Sequence, residues 1–239
     1  ILAGGLGTRI RQLYPDVPKP MIKVCKQPFL EWVMAYLADQ RISRIVLSCG
    51  FKADVIKNYL ATRNNGTPSL TMVVEKKPLG TAGGCMLAIR SISEAEVYVV
   101  TNGDSLILAE LKIPIEKVMQ RNLDGCIIAR RLDDCSRYGS LSCDDEGILT
   151  GFLEKKPGAG LINSGIYVFH KDVLALFPDR QPLSFEYDVF PELIRTGSKI
   201  GVFETKAPFI DIGTPETIKL ADNFINKNFL TGKLEKVNN

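Results

Sequence analysis

The chain has 239 residues, 45% of them hydrophobic, enough for one large core or for one core with a small appended lobe. A formal charge of +3, from 30 Lys and Arg against 27 Asp and Glu, is too small and too scattered for a nucleic-acid surface and suits small anionic ligands better. No stretch has the length of an apolar membrane span or the form of a signal peptide, so no membrane partner is expected and the expectation is a soluble protein.

The first segment carries the densest signal. Ile1-Leu2-Ala3 reads as the end of a buried strand, and a few residues are expected to precede it. Gly4, Gly5 and Gly7 then let the backbone turn and bring amide N–H groups against a ligand. Thr8 adds a hydroxyl, Arg9 a planar fork suited to phosphate oxygens, and Lys19, between Pro18 and Pro20, a point charge on a stiffened segment. Together they describe a polyphosphate cradle. A glycine cluster after a strand is more often a plain turn, and neither G-x-x-x-x-G-K-[ST] nor G-x-G-x-x-G fits, so the cationic side chains carry the reading.

Apolar residues at helical spacing predict a helix over 29–41, and a β-branched run predicts a strand over 44–49. The alternation continues with a helix over 54–62, a strand over 70–75, a helix over 82–91 and a strand over 97–101, which is the pattern of a doubly wound, mostly parallel sheet. The second half is richer in strands, at 126–131, 140–143, 149–153 and 165–169. Helices follow near 172–176 and 187–196, then a strand over 200–204. A final helix over 215–229 opens on Thr214 as N-cap and Pro215 at the first helical position. The expected class is α/β, Rossmann-like, with a small β-rich part in a single domain over 1–239. Cys25, Cys49, Cys85, Cys126, Cys135 and Cys143 are widely spaced, with no C-x-x-C and one histidine, His170, which reads as structural or surface. Reduced thiols and a cytoplasmic setting are expected. Trp32 reads as core.

Ligands of open α/β sheets bind beyond the carboxyl ends of the strands, so the residues after each strand matter most. Glu75-Lys76-Lys77-Pro78-Leu79-Gly80-Thr81-Ala82-Gly83-Gly84 ends a strand and opens a helix whose amides could meet a base edge or an anion, or could serve only close packing. Asn102-Gly103-Asp104 and Phe209-Ile210-Asp211 each put an Asp after an apolar run. Either could be a turn carboxylate, and both are well placed to hold a divalent ion against phosphates.

Leu2-Ala3-Gly4-Gly5-Leu6-Gly7-Thr8-Arg9, followed by Pro18-Lys19-Pro20, resembles the double signature of the sugar-1-phosphate nucleotidyltransferases, and later matches extend the resemblance over most of the chain. The family implies a GT-A-like fold with a nucleotide half over about 1–125 and a sugar half over about 126–239. It also implies a reaction in which a sugar 1-phosphate attacks the α-phosphorus of a nucleoside triphosphate and releases pyrophosphate. Residue by residue, the resemblance implies that Leu2, Ala3, Gly4, Gly5, Gly7, Thr8 and Arg9 hold the nucleotide with Glu75, Pro78, Gly80, Thr81, Asn102 and Gly103. Lys19 lies on the α-phosphate and Arg9 on the outer phosphates. Asp104 and Asp211 share one Mg²⁺. Phe152-Leu153-Glu154-Lys155-Lys156-Pro157 resembles the sugar element, with Glu154 on hydroxyls and Lys155, or its neighbour Lys156, on the sugar phosphate. Arg137-Tyr138-Gly139 resembles the glycine turn against the sugar ring, and Asn163 the residue that meets the sugar, although Glu154, Asn163 and Tyr138 could equally be ordinary strand-end groups. The partners implied are a nucleoside triphosphate, a sugar 1-phosphate and, from the family alone, a second copy in a homodimer.

Within the family, Lys26-Gln27-Pro28-Phe29-Leu30-Glu31 and Leu47-Ser48-Cys49-Gly50-Phe51-Lys52 are most similar to the branch that guanylylates a heptose 1-phosphate for polysaccharide biosynthesis. The mannose-1-phosphate guanylyl and glucose-1-phosphate thymidylyl or cytidylyl branches stand close by. A non-catalytic nucleotide-sugar-binding subunit is the alternative of another kind. The presence of Arg9, Lys19, Asp104 and Asp211 together favours an enzyme.

Overall fold

The computed structural model describes residues 1–63, 68–92, 94–154 and 157–230. The chain starts in a short strand β1 (Leu2–Ala3), runs through the opening loop to a 3₁₀ turn at Lys19–Met21, and forms a small hairpin of β2 (Lys23–Val24) and β3 (Gln27–Pro28). Helix α1 (Phe29–Asp39) follows, with Phe29, Leu30, Val33, Met34 and Leu37 buried on the face its spacing predicts. Trp32 is core as expected, its indole N–H donating to Val24 O at 3.0 Å.

β4 (Arg44–Cys49), α2 (Ala53–Ala61), β5 (Ser69–Val74), α3 (Thr81–Ile89) and β6 (Val97–Thr101) then alternate as expected. β1, β4 and β5 pair in parallel, in the order β1-β4-β5, with Leu2 opposite Ser48 and Arg44 opposite Ser69. The last three residues of β4, Leu47, Ser48 and Cys49, are all buried, as befits a central parallel strand covered on both faces. A parallel bridge between Leu2 and Asn102 carries the sheet on to the end of β6.

Besides β2 and β3, three elements were not legible. β7 (Ser105–Ile107) pairs antiparallel with β13 (Phe209–Asp211), and three-residue strands leave too little alternation to read. Between them in the chain lies α4 (Lys112–Met119), where Pro114 falls in the first turn, a position that needs no N–H donor.

The second half contains β8 (Gly125–Leu132), β9 (Gly139–Cys143), β10 (Leu149–Glu154) and the long β11 (Gly160–His170). β11 runs antiparallel to β6, β8 and β9. The spacing predicted only its second part, because Gly165 reads as a strand boundary. In the structure Gly165 sits at φ +83° inside one strand, and the register against β8 shifts between Asn163 and Tyr167. The kink lets the first part pair with β9 and the second with β6. β12 (Ile200–Thr205) adds to β8 in parallel.

A 3₁₀ turn at Lys171–Leu176 and a π-turn at Phe185–Val189 lead into α5 (Phe190–Arg195). Tyr167, Phe169, Phe177, Phe185 and Phe190 form an aromatic cluster beneath the sheet, with Tyr167 and Phe185 ring centroids 4.8 Å apart. α6 (Pro215–Ile225) starts where the sequence places it, with Thr214 and Thr217 in a reciprocal cap, and its last turns widen into a π-turn at Asn226–Leu230.

All six cysteines are free. His170 is buried and accepts from the Asp172 amide at 3.2 Å, a structural role. No helix among the described residues is long and apolar enough to cross a membrane.

Candidate active site

The carboxyl ends of β1, β5 and β6 surround a cavity of ≈ 300 Å³. Leu2, Ala3, Gly4, Gly5, Glu75, Pro78, Gly80, Thr81, Asn102, Lys19 and Asp104 line it, as the sequence predicts, joined by Leu6, Pro20 and Gly84. A second cavity, of ≈ 290 Å³, lies at the opposite ends of β4 and β6 among apolar side chains and has no carboxylate in its wall. Polar chemistry therefore belongs to the first.

Glu75 follows β5 and is anchored through its own amide to Cys49 O at 2.8 Å. Its Oε2 accepts from Leu79 N at 3.0 Å, while Oε1 lies 2.6 Å from where a Cβ on Gly4 would stand and 2.7 Å from the same point on Gly84. The two glycines thus make room for a carboxylate in the wall of the cavity. Ser48 Oγ, buried and without a hydrogen-bond partner, lies 3.1 Å from that point on Gly84.

The turn from Glu75 into α3 depends on Gly80, which adopts φ +80° and packs so closely that a Cβ would stand 2.4 Å from Leu183 O. The Ala82 and Gly83 amides donate to that same carbonyl. Thr81 is tied from both sides: its hydroxyl donates to Glu186 Oε2 at 3.1 Å and accepts from Phe185 N at 2.9 Å. Ser184 Oγ donates to the same Glu186 oxygen at 2.7 Å. Glu186 and Ser184 therefore buttress the start of α3. Sequence reasoning missed them, since nothing in the local pattern places residue 186 beside residue 81.

Asp104 lines the cavity, and Asp211 lies close to it in the β-ladder. The β7–β13 ladder sets Asp211 opposite Ser105, and Ile212 N donates to Asp104 O at 2.9 Å, so Asp104 and Asp211 occupy adjacent rungs. Lys19 Nζ pairs with Asp104 at 3.0 Å, with both side chains partly buried. Asp211 accepts from Gly213 N at 2.8 Å, from Arg137 Nη2 and from the Tyr138 hydroxyl. Burial first, and then this carboxylate, push the Tyr138 phenol above its usual pKa, so it stays a donor. Among the described residues no cluster of three or more His, Cys, Asp or Glu could hold a metal. Two adjacent carboxylates still suit a hard divalent ion that takes its other oxygens from phosphates and water.

The remaining expected residues are distributed as follows. Thr8 and Arg9 are exposed on the opening loop and, like Gly7, do not line the cavity. Gly103 is buried behind it, its amide donating to Leu2 O at 2.8 Å. Tyr138 turns its hydroxyl to Asp211 rather than into open space. Asn163 is occupied within β11, donating to the Tyr167 hydroxyl at 2.8 Å and accepting from Gly165 N at 2.9 Å. Gly139 pairs with Glu154 across β9 and β10, and a Cβ on it would meet the Phe152 ring at 2.7 Å. Lys155 and Lys156, with the Glu154 side chain, lie outside the described residues.

A family model described as nucleotidyl transferase matches residues 1–228. The chain is 34% identical over 220 residues to D-glycero-alpha-D-manno-heptose 1-phosphate guanylyltransferase of Campylobacter jejuni, covering 90% of this chain and 94% of that one. It is 31% identical to mannose-1-phosphate guanylyltransferase of Mycobacterium tuberculosis over 90% of this chain and 61% of that longer one. The crystal structure of HddC from Yersinia pseudotuberculosis complexed with GMP-PN superposes with a TM-score of 0.82 at 38% identity, covering 94% and 97% of the two chains.

Proposed function

Since the chain belongs to the nucleotidyl transferase family, we propose that it condenses GTP with D-glycero-α-D-manno-heptose 1-phosphate to give GDP-heptose and pyrophosphate. The observation that carries the chemistry is the ion pair of Lys19 and Asp104 in the wall of a cavity that also holds Glu75, with Asp211 on the neighbouring rung of the ladder. The choice of substrates rests on similarity to the heptose enzyme over nearly the whole of both chains.

In this reading the amides of the opening loop and of residues 75–80 hold the base. The Glu75 carboxylate accepts from the N1–H and exocyclic N–H of guanine, a pair of donors that adenine, cytosine and thymine do not present together. Lys19 leaves Asp104 for the α-phosphate, where its charge offsets what builds up as the sugar phosphate oxygen attacks and pyrophosphate leaves in line. Arg9, exposed on its loop, swings onto the outer phosphates. Asp104 and Asp211 hold Mg²⁺, which when bound neutralises phosphate charge and polarises the reacting phosphorus. No protein nucleophile or general base is needed, because the attacking phosphate oxygen is already anionic. Glu154, Asn163, Gly139 and Lys155 serve the sugar half of the site, and residues 1–125 the nucleotide half.

Pyrophosphate release with Mg²⁺, measured for four nucleoside triphosphates against heptose, mannose and glucose 1-phosphates, tests this directly. Release confined to GTP with the heptose phosphate is expected. Preference for mannose 1-phosphate would move the chain to the second relative's activity, and silence throughout with nucleotide still bound would make it a sensor.

A further inference from the structure

Arg137 has no role in the account above, yet it is paired with one of the two carboxylates assigned to the metal. Its Nη2 lies 3.2 and 3.3 Å from the two oxygens of Asp211, and its guanidinium rests 5.4 Å from the Tyr138 ring centroid. The Tyr138 ring is itself held edge-on against Phe209 of β13, so the strap that carries Arg137 is docked on the strand that presents Asp211. Two residues on, Gly139 opens β9, and a Cβ on it would stand 3.9 Å from the Asn163 Cβ. Arg137 thus spans the distance from the sugar half to the carboxylate pair.

In the reaction proposed above, on which this inference rests, the phosphate of the sugar 1-phosphate has to occupy that same line. One of its oxygens is bonded to the sugar, and another faces the α-phosphorus. The charges balance without ligands: Asp104 faces Lys19, and Asp211 faces Arg137. A divalent cation that takes both carboxylates leaves two cationic side chains without their partners beside incoming phosphates. Lys19 turns to the nucleotide. Arg137, with 40% of its side chain already exposed, has the mobility and the planar fork to take a phosphate through two hydrogen bonds.

We propose that Arg137 binds the phosphate of the sugar 1-phosphate, and that Asp211 holds it in waiting until a divalent cation claims that carboxylate. Arg137 is then a substrate-binding residue whose availability depends on the metal, which orders the two events.

The test compares wild type with Arg137→Gln and Arg137→Lys. The first readout is KM for each substrate separately; the second is Mn²⁺ binding to the nucleotide-free protein, followed by the electron paramagnetic resonance signal of free Mn²⁺. Arg137→Gln is expected to raise KM for the sugar 1-phosphate about 10-fold or more while KM for GTP stays within about twofold, with partial recovery in Arg137→Lys. It is also expected to bind Mn²⁺ about threefold tighter, because Asp211 no longer has a competing partner. A folded Arg137→Gln with an unchanged KM for the sugar phosphate, or with both KM values raised alike, overturns the phosphate role. Unchanged or weaker Mn²⁺ binding overturns the waiting position. A wild type silent with every substrate pair overturns the reaction and this role together, whereas an active wild type with an unaffected variant overturns this role alone.

Discussion

Glu75 shows how a single side chain gains meaning from what surrounds it. In the sequence it is one more charged residue after a strand. In the structure two glycines leave space for its carboxylate, and the Leu79 amide holds one oxygen while the other faces the cavity. Glu75→Gln turns one acceptor into a donor at the edge proposed above to meet guanine. It is expected to raise KM for GTP by about 10–100-fold, the scale of a hydrogen bond to a charged group, with little change for ATP. Equal KM values for GTP in the two proteins would remove Glu75 from base recognition. Lys19, Asp104 and Asp211 were legible because each follows a strand or stiff turn and matches a specific motif. Glu186 was not, and Arg137 was legible only as a member of the Arg137-Tyr138-Gly139 turn, without its pairing to Asp211. The partners of Arg137 and Glu186 lie 74 and 105 residues away in the chain, and only the docking of Tyr138 on Phe209 and the π-turn before α5 bring them together.

At the scale of elements, long periodic segments read correctly and short ones did not. α1, β4, α2, β5, α3 and β6 fell close to their expected bounds because burial on a helix face or in a parallel strand demands a recognisable pattern. The pair β7 and β13 escaped, although it sets the positions of Asp104 and Asp211, because three residues of pairing are specified by neighbours rather than by their own alternation. The start of α3 depends on one residue. Gly80→Ala forces a side chain into a left-handed backbone and against Leu183 O, and is expected to cost about 2–4 kcal/mol of stability. Urea unfolding would register this as a lower midpoint at an unchanged slope. A midpoint equal to wild type would mean that the turn into α3 is looser than described.

Across the whole molecule, the cysteine chemistry follows burial. Burial pushes the Cys49, Cys85 and Cys126 thiols up to about 12, and Cys25 is raised by partial burial and by Asp222. Cys143 is exposed. Ellman's reagent at pH 8 is expected to find one fast thiol, Cys143, in the native protein and all six after denaturation. Three or more fast thiols would contradict the described core. The same shifts set a pH dependence. The folded chain keeps protons on these thiols that the unfolded chain releases above about 8.5. Their contribution to stability is therefore full below that pH and declines as pH rises toward 12, and the urea midpoint at pH 10 is expected to lie below that at pH 8.

The fold as a whole serves to bring the opening loop, the ends of β5 and β6, and the β7–β13 ladder to one cavity. In the proposed reaction Lys19 acts on the phosphate undergoing transfer. The most direct measurement is kcat of Lys19→Ala at saturating GTP, heptose 1-phosphate and Mg²⁺, alongside its GTP dissociation constant and melting temperature. A fall in kcat of about 10²–10³-fold is expected, with GTP affinity and melting temperature close to wild type. A folded variant that turns over within about threefold of wild type would contradict it.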